Sequence, residues 1–242
     1  MKQLVKSSLS FILSPFHLEV VRSNPHTLSG THLFRDLRIL IESESPMCMD
    51  VGANRGQTIT ALQRSFTRPV IHAFEPSSRQ CDNLKTSYTS QGVFIHKCAF
   101  GSERRHRTFF NYNNSCLSSF LHLDPHSENR FRAIGIESEE RVQVTTVDEF
   151  VRENRIERVD LLKIDTQGSD LDVLLGASIS LSTGTVKVVM CELNFVRMYE
   201  GQGRPDEIIT YLNKHGFFVV DYYEKERQNN TLAWCTALFV RR

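Results

Sequence analysis

The segment of residues 46–66, PMCMDVGANRGQTITALQRSF, restricts the possible folds more than any other part of the chain. Met47–Val51 is a short, mostly apolar run whose length suits a fully buried strand. The strand stops at Gly52, and a Gly-x-x-x-Gly turn follows it as far as Gly56. Beyond the turn, apolar residues recur at helical spacing, at Ile59, Leu62 and Phe66. This order of strand, turn and helix predicts that free backbone N–H groups point at a ligand.

Two acidic residues indicate which ligand this is. Asp50 would repel the pyrophosphate of a dinucleotide, but it would attract the ammonium and sulfonium groups of S-adenosylmethionine. Residues 69–74 form a second apolar run that ends in Glu75, at about the distance downstream where a carboxylate accepts hydrogen bonds from a ribose diol. The two acids together predict a nucleoside site. The alternative is a tight strand-to-helix turn that binds nothing.

Composition places the chain among ordinary α/β proteins. Its 242 residues suffice for one sizeable core, and the formal net charge of +1 provides no electrostatic footprint for nucleic acid. The six cysteines include no Cys-x-x-Cys pair, which favours buried thiols in a reducing compartment, and we therefore expect a cytoplasmic protein.

The first 45 residues precede the first core strand and are predicted to form a helical extension, with residues 46–242 as the main domain. Leu4, Ser8, Phe11 and Ile12 could line one helix face, but Pro15, His17 and Glu19 interrupt the apolar stretch, so no membrane insertion is expected. Residues 31–41 show a second helical pattern, which predicts packing against the sheet or, less favoured, a lid over the ligand.

The middle of the chain supplies the next elements. Residues 93–98 are predicted to form the third strand, and Ala99 directly after it should border the adenine. Strand-like runs at residues 108–112 and 142–147 flank a polar stretch, residues 113–140, which is our candidate substrate loop because long irregular segments are usually functional or disordered. Its HLDPH sequence resembles a metal-binding pattern, but Pro125 favours a solvated loop, so no metal ligand set is predicted there.

Four predicted strands end in acids. Val159–Ile164 is followed by Asp165, and residues 186–191 are followed by Glu192, just as the first two strands lead to Asp50 and Glu75. In open parallel sheets the ligand crevice lies outside the carboxyl ends of the strands, so all four carboxylates can converge on one cleft. For each acid alone, a helix cap or a surface salt bridge is the alternative.

The chain closes with two β-rich runs, residues 217–223 and 233–240, which predict an antiparallel hairpin. Such a hairpin is usual for methyltransferases. Residues 47–193 resemble the FkbM family of S-adenosylmethionine-dependent methyltransferases in the motifs DVGANRGQ, HAFEP, the Ser-Ser pair within residues 118–121, LLKIDTQGSD and CEL. The resemblance implies a class I methyltransferase fold, a Rossmann-like three-layer α/β sandwich with strand order 3-2-1-4-5-7-6. It also implies O-methylation of a sugar or polyketide hydroxyl. The family often has Glu where this chain has Gln167.

This resemblance assigns roles to the acids and to the turn. The cofactor S-adenosyl-L-methionine would be held at its ribose by Glu75 and at its methionine end by a set of five residues: Asp50, Gly52, Ala53, Asn54 and Gly56. Asp165 and Glu192 would face a small-molecule or glycan acceptor, where either could act as general base. Alternatively, the pair could hold a divalent cation that acidifies the acceptor hydroxyl.

Three other classes of protein compete with this interpretation. An NAD-dependent oxidoreductase would share the βαβ unit and Glu75, but Asp50 and the terminal hairpin argue against it. A non-catalytic nucleoside-binding module would keep Asp50 and Glu75 without a working Asp165 and Glu192. A structural protein would need none of the four acids.

Overall fold

The computed structural model describes residues 27–125 and 133–242. The predicted helix face at residues 4–12 lies outside these ranges. The elements follow one another along the chain as α1 (Leu33–Ile41), β1 (Met47–Val51), α2 (Gln57–Ser65), β2 (Val70–Phe74), α3 (Ser78–Ser87), β3 (Val93–His96), β4 (Ala99–Phe100), β5 (Arg105–Tyr112), β6 (Ile136–Thr145), α4 (Val147–Glu153), β7 (Val159–Ile164), α5 (Asp170–Leu175), α6 (Ser178–Thr183), β8 (Val186–Asn194), α7 (Pro205–Lys214), β9 (Phe217–Gln228) and β10 (Thr231–Arg241).

Seven of the strands form one sheet in the order β3-β2-β1-β7-β8-β10-β9. The central strands are parallel, whereas β10 is antiparallel to both β8 and β9. The sheet order therefore confirms the expected arrangement with a C-terminal antiparallel hairpin. No helix within the described ranges is long and apolar enough to cross a membrane.

The two faces of the sheet bury different residues because successive side chains of a strand point to opposite sides. Met49 and Leu162 belong to a core under α4 to α7, whose helices contribute residues such as Val173, Leu181 and Leu212. The neighbouring Cys48 and Leu161 belong to a second core under α1, α2 and α3, with Leu37, Ile59 and Leu84. Both faces of the sheet are covered, and the fold is a three-layer sandwich.

Helix α1 packs on the sheet as the favoured prediction states. Leu37 and Ile41 are completely buried in the second core. Asp36 is also buried, and its carboxylate accepts hydrogen bonds from the Ser29 and Gly30 amides and from the Tyr223 hydroxyl. Although burial works against its charge, these donors lower the pKa of Asp36 and tie the start of α1 to strand β9.

A second, three-stranded sheet in the order β4-β6-β5 corrects one sequence prediction. The polar stretch of residues 113–140 is not irregular throughout, because Ile136 to Glu140 belong to β6 and pair with β5. This hairpin projects one face to solvent, so polar residues dominate it. The apolar signal of a strand is therefore weak there.

Smaller corrections concern strand ends and helix caps. The third strand ends at His96 and not at residue 98, and β8 continues to Asn194, so Glu192 lies within the strand. Ser77 and Ser169 precede α3 and α5, and neither side chain makes a capping hydrogen bond. Leu175 at the end of α5 is 44% exposed, whereas Val173 takes the inward position of this helix.

Candidate active site

A cleft with a volume of about 570 Å³ opens at the carboxyl ends of the parallel strands, a size typical of small-molecule sites. Its wall includes Gly52, Ala53 and Asn54 of the glycine turn but not Gly56, together with residues that follow β2 and β7, strand β4, and parts of β8 and β10. Three of the four predicted acids line it, namely Glu75, Asp165 and Glu192. The fourth, Asp50, lies beneath the cleft floor with no exposed surface.

The glycine turn fits tightly against its neighbours. Gly52 has φ of 81°, and a Cβ atom there would lie 1.9 Å from the Asp165 carbonyl oxygen. Gly56 has φ of 82°, and a Cβ atom would lie 2.3 Å from the Tyr88 ring. Any larger residue at either position would strain the backbone and push the ends of the neighbouring elements apart.

The prediction that this turn offers free N–H groups is wrong for its first residues. The amides of Gly52 and Ala53 both donate to the Phe74 carbonyl oxygen, at 3.0 and 3.1 Å. The Asn54 amide donates to Glu75 Oε2 at 2.8 Å. These donors join the turn to the end of β2, because β1 and β2 are neighbours in the sheet.

Lys163 on β7 lies between two of the acids, and the sequence analysis missed it. Its Nζ is 2.9 Å from Asp50 Oδ1 and 3.8 Å from Asp165 Oδ2, and it donates a hydrogen bond of 2.9 Å to the Gly52 carbonyl oxygen. Burial works against its charge, but the two carboxylates raise the pKa of Lys163 and keep it cationic. A lysine in a run as apolar as VDLLKI was a usable signal, since a buried charge requires a partner.

Glu75 is 5% exposed and lies at the mouth of the turn. Its Oε2 accepts the Asn54 amide, and its Oε1 accepts the Ser77 amide at 2.9 Å. Burial raises the pKa of Glu75 to about 7, although these two hydrogen bonds oppose the rise. A carboxylate can accept about four hydrogen bonds, so Glu75 retains acceptor capacity for a ligand.

Gln167 joins the two acids predicted to be catalytic. Its Nε2 donates to Asp165 Oδ1 at 2.8 Å and to Glu192 Oε2 at 3.2 Å. Its Oε1 accepts a hydrogen bond of 2.8 Å from the hydroxyl of Tyr199, a residue with no exposed surface. The side-chain amide thus holds the two carboxylates in a fixed relation to each other.

The backbone of Gln167 is fixed as well. It has φ of 54°, which is uncommon for a residue other than glycine, and its carbonyl oxygen accepts the Ser119 hydroxyl at 2.7 Å. Buried Asp170 accepts the amides of Thr166 and Gly168, both at 3.2 Å. Ser119, from the Ser-Ser motif, therefore secures the turn that follows β7.

Glu192 carries the strongest electrostatic perturbation among the cleft acids. Burial and the negative charges of Asp165 and Asp170 raise the pKa of Glu192 to about 8, although Asn194 Nδ2 donates to it at 3.1 Å. Asp165 is more accessible, with 40% of its side chain exposed. The two carboxylates therefore differ in environment although Gln167 bonds to both.

Two further sequence predictions concern Ala99 and the HLDPH segment. Ala99 lines the cleft beside Cys98 and Phe100, as its assignment to the adenine edge requires. Asp124 of the HLDPH segment is 3% exposed and forms an ion pair with Arg197, so this end of the segment is not a solvated loop. Among residues 27–125 and 133–242, no group of three or more His, Cys, Asp or Glu side chains has the geometry to hold a metal ion.

The sheet order and the position of the cleft define the class of protein: a class I methyltransferase fold. A family model described as the methyltransferase FkbM domain matches residues 50–219. The chain therefore belongs to the FkbM methyltransferase domain family.

Individual relatives support this at low identity. The 2-O-methyltransferase NoeI of Sinorhizobium fredii is 21% identical over 182 residues, which cover 72% of this chain and 74% of NoeI. The 31-O-demethyl-FK506 methyltransferase FkbM of Streptomyces tacrolimicus is 25% identical over 193 residues, 71% of this chain and 72% of that protein. A match of 33% identity to the AMB antimetabolite synthetase AmbE of Pseudomonas aeruginosa covers 40% of this chain and only 4% of that protein.

Among solved structures, the methyltransferase FkbM of Methylobacillus flagellatus superimposes with a TM-score of 0.52 and 15% identity. The superposition covers 81% of this chain and 44% of that one, so the chain spans less than half of that protein. At this identity the similarity concerns the fold.

The raised pKa of Glu192 predicts how stability depends on pH. Because the folded state binds this proton more tightly than the unfolded state, the contribution is fully present below the ordinary pKa of 4.5 and is lost as pH rises through about 8. Glu192→Gln lacks this titration. Between pH 5 and pH 8, its free energy of unfolding should therefore rise relative to that of the wild type by at least about 1 kcal/mol, measured by urea unfolding.

Glu157→Gln is the matched control, because Glu157 is exposed in the loop before β7 and away from the cleft. Its unfolding curve should follow the wild type at every pH. A difference between Glu192→Gln and wild type that stays constant from pH 5 to pH 8 would show that Glu192 titrates normally.

Proposed function

We propose that this protein is an S-adenosylmethionine-dependent methyltransferase that methylates a hydroxyl of a small-molecule or glycan acceptor. The observation that carries the proposal is the charge of the cleft. Its described lining includes four acids, Glu75, Asp165, Glu192 and Glu224, and a single cation, Lys163. Lys163 is already paired with the buried Asp50, so the cleft suits a cationic cofactor and disfavours a pyrophosphate.

The polar atoms of the cleft support the fit of this cofactor. Asn54 Oδ1 and Thr166 Oγ1 are buried without a hydrogen-bond partner in the described structure, although both residues line the cleft. Buried polar atoms without partners cost free energy, which a bound ligand can recover. Glu75 would accept the ribose hydroxyls, and Ala99 would border the adenine.

The glycine turn would bind the methionine end of S-adenosylmethionine without free amide donors. The amides of Gly52, Ala53 and Asn54 are bonded within the protein, so the turn would contribute its shape, the close approach that Gly52 and Gly56 allow, and the Asn54 side chain. Asp50, which is fully buried and paired with Lys163, would act from beneath by holding Lys163 and, through it, the Gly52 carbonyl oxygen. When bound, S-adenosylmethionine supplies a methyl group on a positively charged sulfur.

Asp165 and Glu192 would deprotonate and orient the acceptor hydroxyl. Asp165 is accessible, and its Oδ2, which lies 3.8 Å from Lys163 Nζ, would take the proton of an acceptor hydroxyl while Oδ1 is held by Gln167. Glu192, whose raised pKa keeps it largely protonated near neutral pH, would orient the hydroxyl. A divalent cation between the two carboxylates is the second route to an activated hydroxyl.

The relatives favour oxygen as the acceptor atom. NoeI and FkbM are named as a 2-O-methyltransferase and a 31-O-demethyl-FK506 methyltransferase, respectively. The family match disfavours the NAD-dependent oxidoreductase. A non-catalytic nucleoside-binding module on the same fold would bind the cofactor but would show no turnover.

Ligand binding tests the cofactor. A ligand at a hundredfold excess over its dissociation constant stabilises the native state by about 2.7 kcal/mol, so S-adenosylhomocysteine should raise the melting temperature by roughly 5–10 °C. NADH should leave it unchanged. In Glu75→Ala the shift should shrink, because losing a charged acceptor of ribose hydroxyls should raise the dissociation constant at least about tenfold.

Glu157→Ala provides the control for a general effect of removing a carboxylate, and it should respond to S-adenosylhomocysteine like the wild type. A melting curve that NADH moves and S-adenosylhomocysteine does not would overturn the proposed cofactor. If Glu75→Ala and the wild type bound S-adenosylhomocysteine with equal affinity, Glu75 would not be the ribose ligand. That result would leave the proposed cofactor unchanged.

Asp165→Asn tests the chemistry separately from binding. It keeps the shape of the side chain but cannot take a proton, so turnover should fall at least about a hundredfold while the affinity for S-adenosylhomocysteine changes little. Labelled-methyl transfer to a panel of glycans and hydroxylated lipids provides the assay. Wild-type turnover should survive EDTA if Asp165 acts as a base, and it should be lost if a metal ion activates the hydroxyl.

Near wild-type turnover by Asp165→Asn would contradict its role. Glu192→Gln, assayed in parallel, would then identify the alternative base.

A further inference from the structure

The cleft is longer than a nucleoside site requires. It extends under five adjacent strands, from the end of β2 across β1, β7 and β8 to β10. Strands in a sheet are about 4.8 Å apart, so the span is roughly 19 Å. If Glu75 binds the ribose beside β2, the part of the cleft under β8 and β10 remains for the acceptor, and this assignment rests on the proposed function.

The walls of this acceptor part combine apolar surface with acids. Trp234 on β10 lines it and packs in a cluster with Met198 and Tyr199. Phe34 of α1 contributes a second aromatic ring to the cleft wall. An acceptor with an apolar face can lie on Trp234, since indole rings combine a large apolar surface with little conformational entropy to lose.

Among the described residues, the charged side chains in the acceptor part of the cleft are all acidic. Glu192 and Glu224 line it, together with Asp165 at its inner edge, and no arginine or histidine of the described chain is part of the cleft wall. Glu224 Oε2 accepts the Thr236 hydroxyl at 2.9 Å and forms no ion pair within the described structure. Even with Glu192 protonated, Asp165 and Glu224 carry two negative charges against the single net positive charge of a bound S-adenosylmethionine, because Lys163 is balanced by Asp50.

This negative character is local. The chain as a whole has a formal net charge of only +1, so the field in the cleft arises from the side chains that line it and not from a charged protein. Bringing an anionic group into a partly desolvated site that contains carboxylates costs Coulomb energy without a compensating partner.

We propose that the acceptor is a hydroxylated molecule without phosphate or carboxylate groups, and that it lies on Trp234 in the part of the cleft under β8 and β10. The carboxylates reject phosphorylated or acidic acceptors, whereas the hydroxyls of a neutral acceptor can donate to them. Methylation replaces the proton of a hydroxyl by a methyl group, so the product has the same net charge as the acceptor.

Trp234 is the single tryptophan of the chain, so its fluorescence reports on this part of the cleft directly. Iodide and acrylamide are an anionic and a neutral quencher, each calibrated on free N-acetyltryptophanamide at constant ionic strength. The calibrated quenching by iodide should be at least twofold weaker than that by acrylamide. Glu224→Gln should increase quenching by iodide and leave quenching by acrylamide unchanged, whereas the remote Glu157→Gln should change neither.

Equal calibrated quenching by iodide and acrylamide in the wild type would overturn the electrostatic basis of the proposal. This result does not depend on whether the cleft binds S-adenosylmethionine, so it is distinguishable from failure of the proposed function.

The product of the reaction tests the acceptor itself. Wild-type protein and S-adenosylmethionine with a labelled methyl group are incubated with a small-molecule extract of the source cells. A cation exchanger removes the unreacted S-adenosylmethionine, and the remaining labelled product is applied to an anion exchanger. The product should pass through unretained. A labelled product that is retained, and released by salt, would overturn the proposal, whereas absence of labelling in every fraction would count against the proposed function.

Discussion

The ion pair between Lys163 and Asp50 is the interaction on which the rest of the site depends. It joins the two central strands, β1 and β7, where both reach the cleft, and Lys163 also binds the carbonyl oxygen of Gly52. Two charges buried at this depth are costly unless paired, and removing one partner of such a pair typically costs about 3–5 kcal/mol. The pair therefore fixes the start of the glycine turn relative to Asp165.

From this pair the site extends in two directions. Towards β2, the amides of Gly52, Ala53 and Asn54 connect the turn to Phe74 and Glu75. Towards β8, Gln167 binds Asp165 and Glu192 together, and Tyr199 holds the amide from behind. The result is a row of carboxylates along the strand ends whose spacing is set by the backbone of the sheet.

Much of this could be predicted from the sequence because the central strands are short apolar runs bounded by glycine or by an acid. Met47–Val51 and Val159–Ile164 were predicted with the same bounds that the structure shows. The positions of Glu75, Asp165 and Glu192 in one cleft followed from the rule that ligands bind at the carboxyl ends of parallel strands. The resemblance to the FkbM family supplied the strand order.

The features that were not predicted depend on contacts between residues that are distant in the chain. Nothing in the sequence near Gln167 indicates that its amide meets Glu192, 25 residues later, or Tyr199, because these contacts exist only once β7 and β8 are paired. Strand-like runs were predicted within β5 and β6, but the first half of β6, residues 136–140, was missed because its exposed side chains remove the apolar pattern. The bonded amides of the turn were missed because a strand–turn–helix pattern gives no information about the neighbouring β2.

A crystal structure of the protein with S-adenosylhomocysteine would test most directly whether this row of carboxylates forms an S-adenosylmethionine site. In that structure Glu75 should accept both ribose hydroxyls, and the sulfur should face Asp165 and Glu192. A nucleoside bound elsewhere, or bound in the cleft without contact to Glu75, would contradict it.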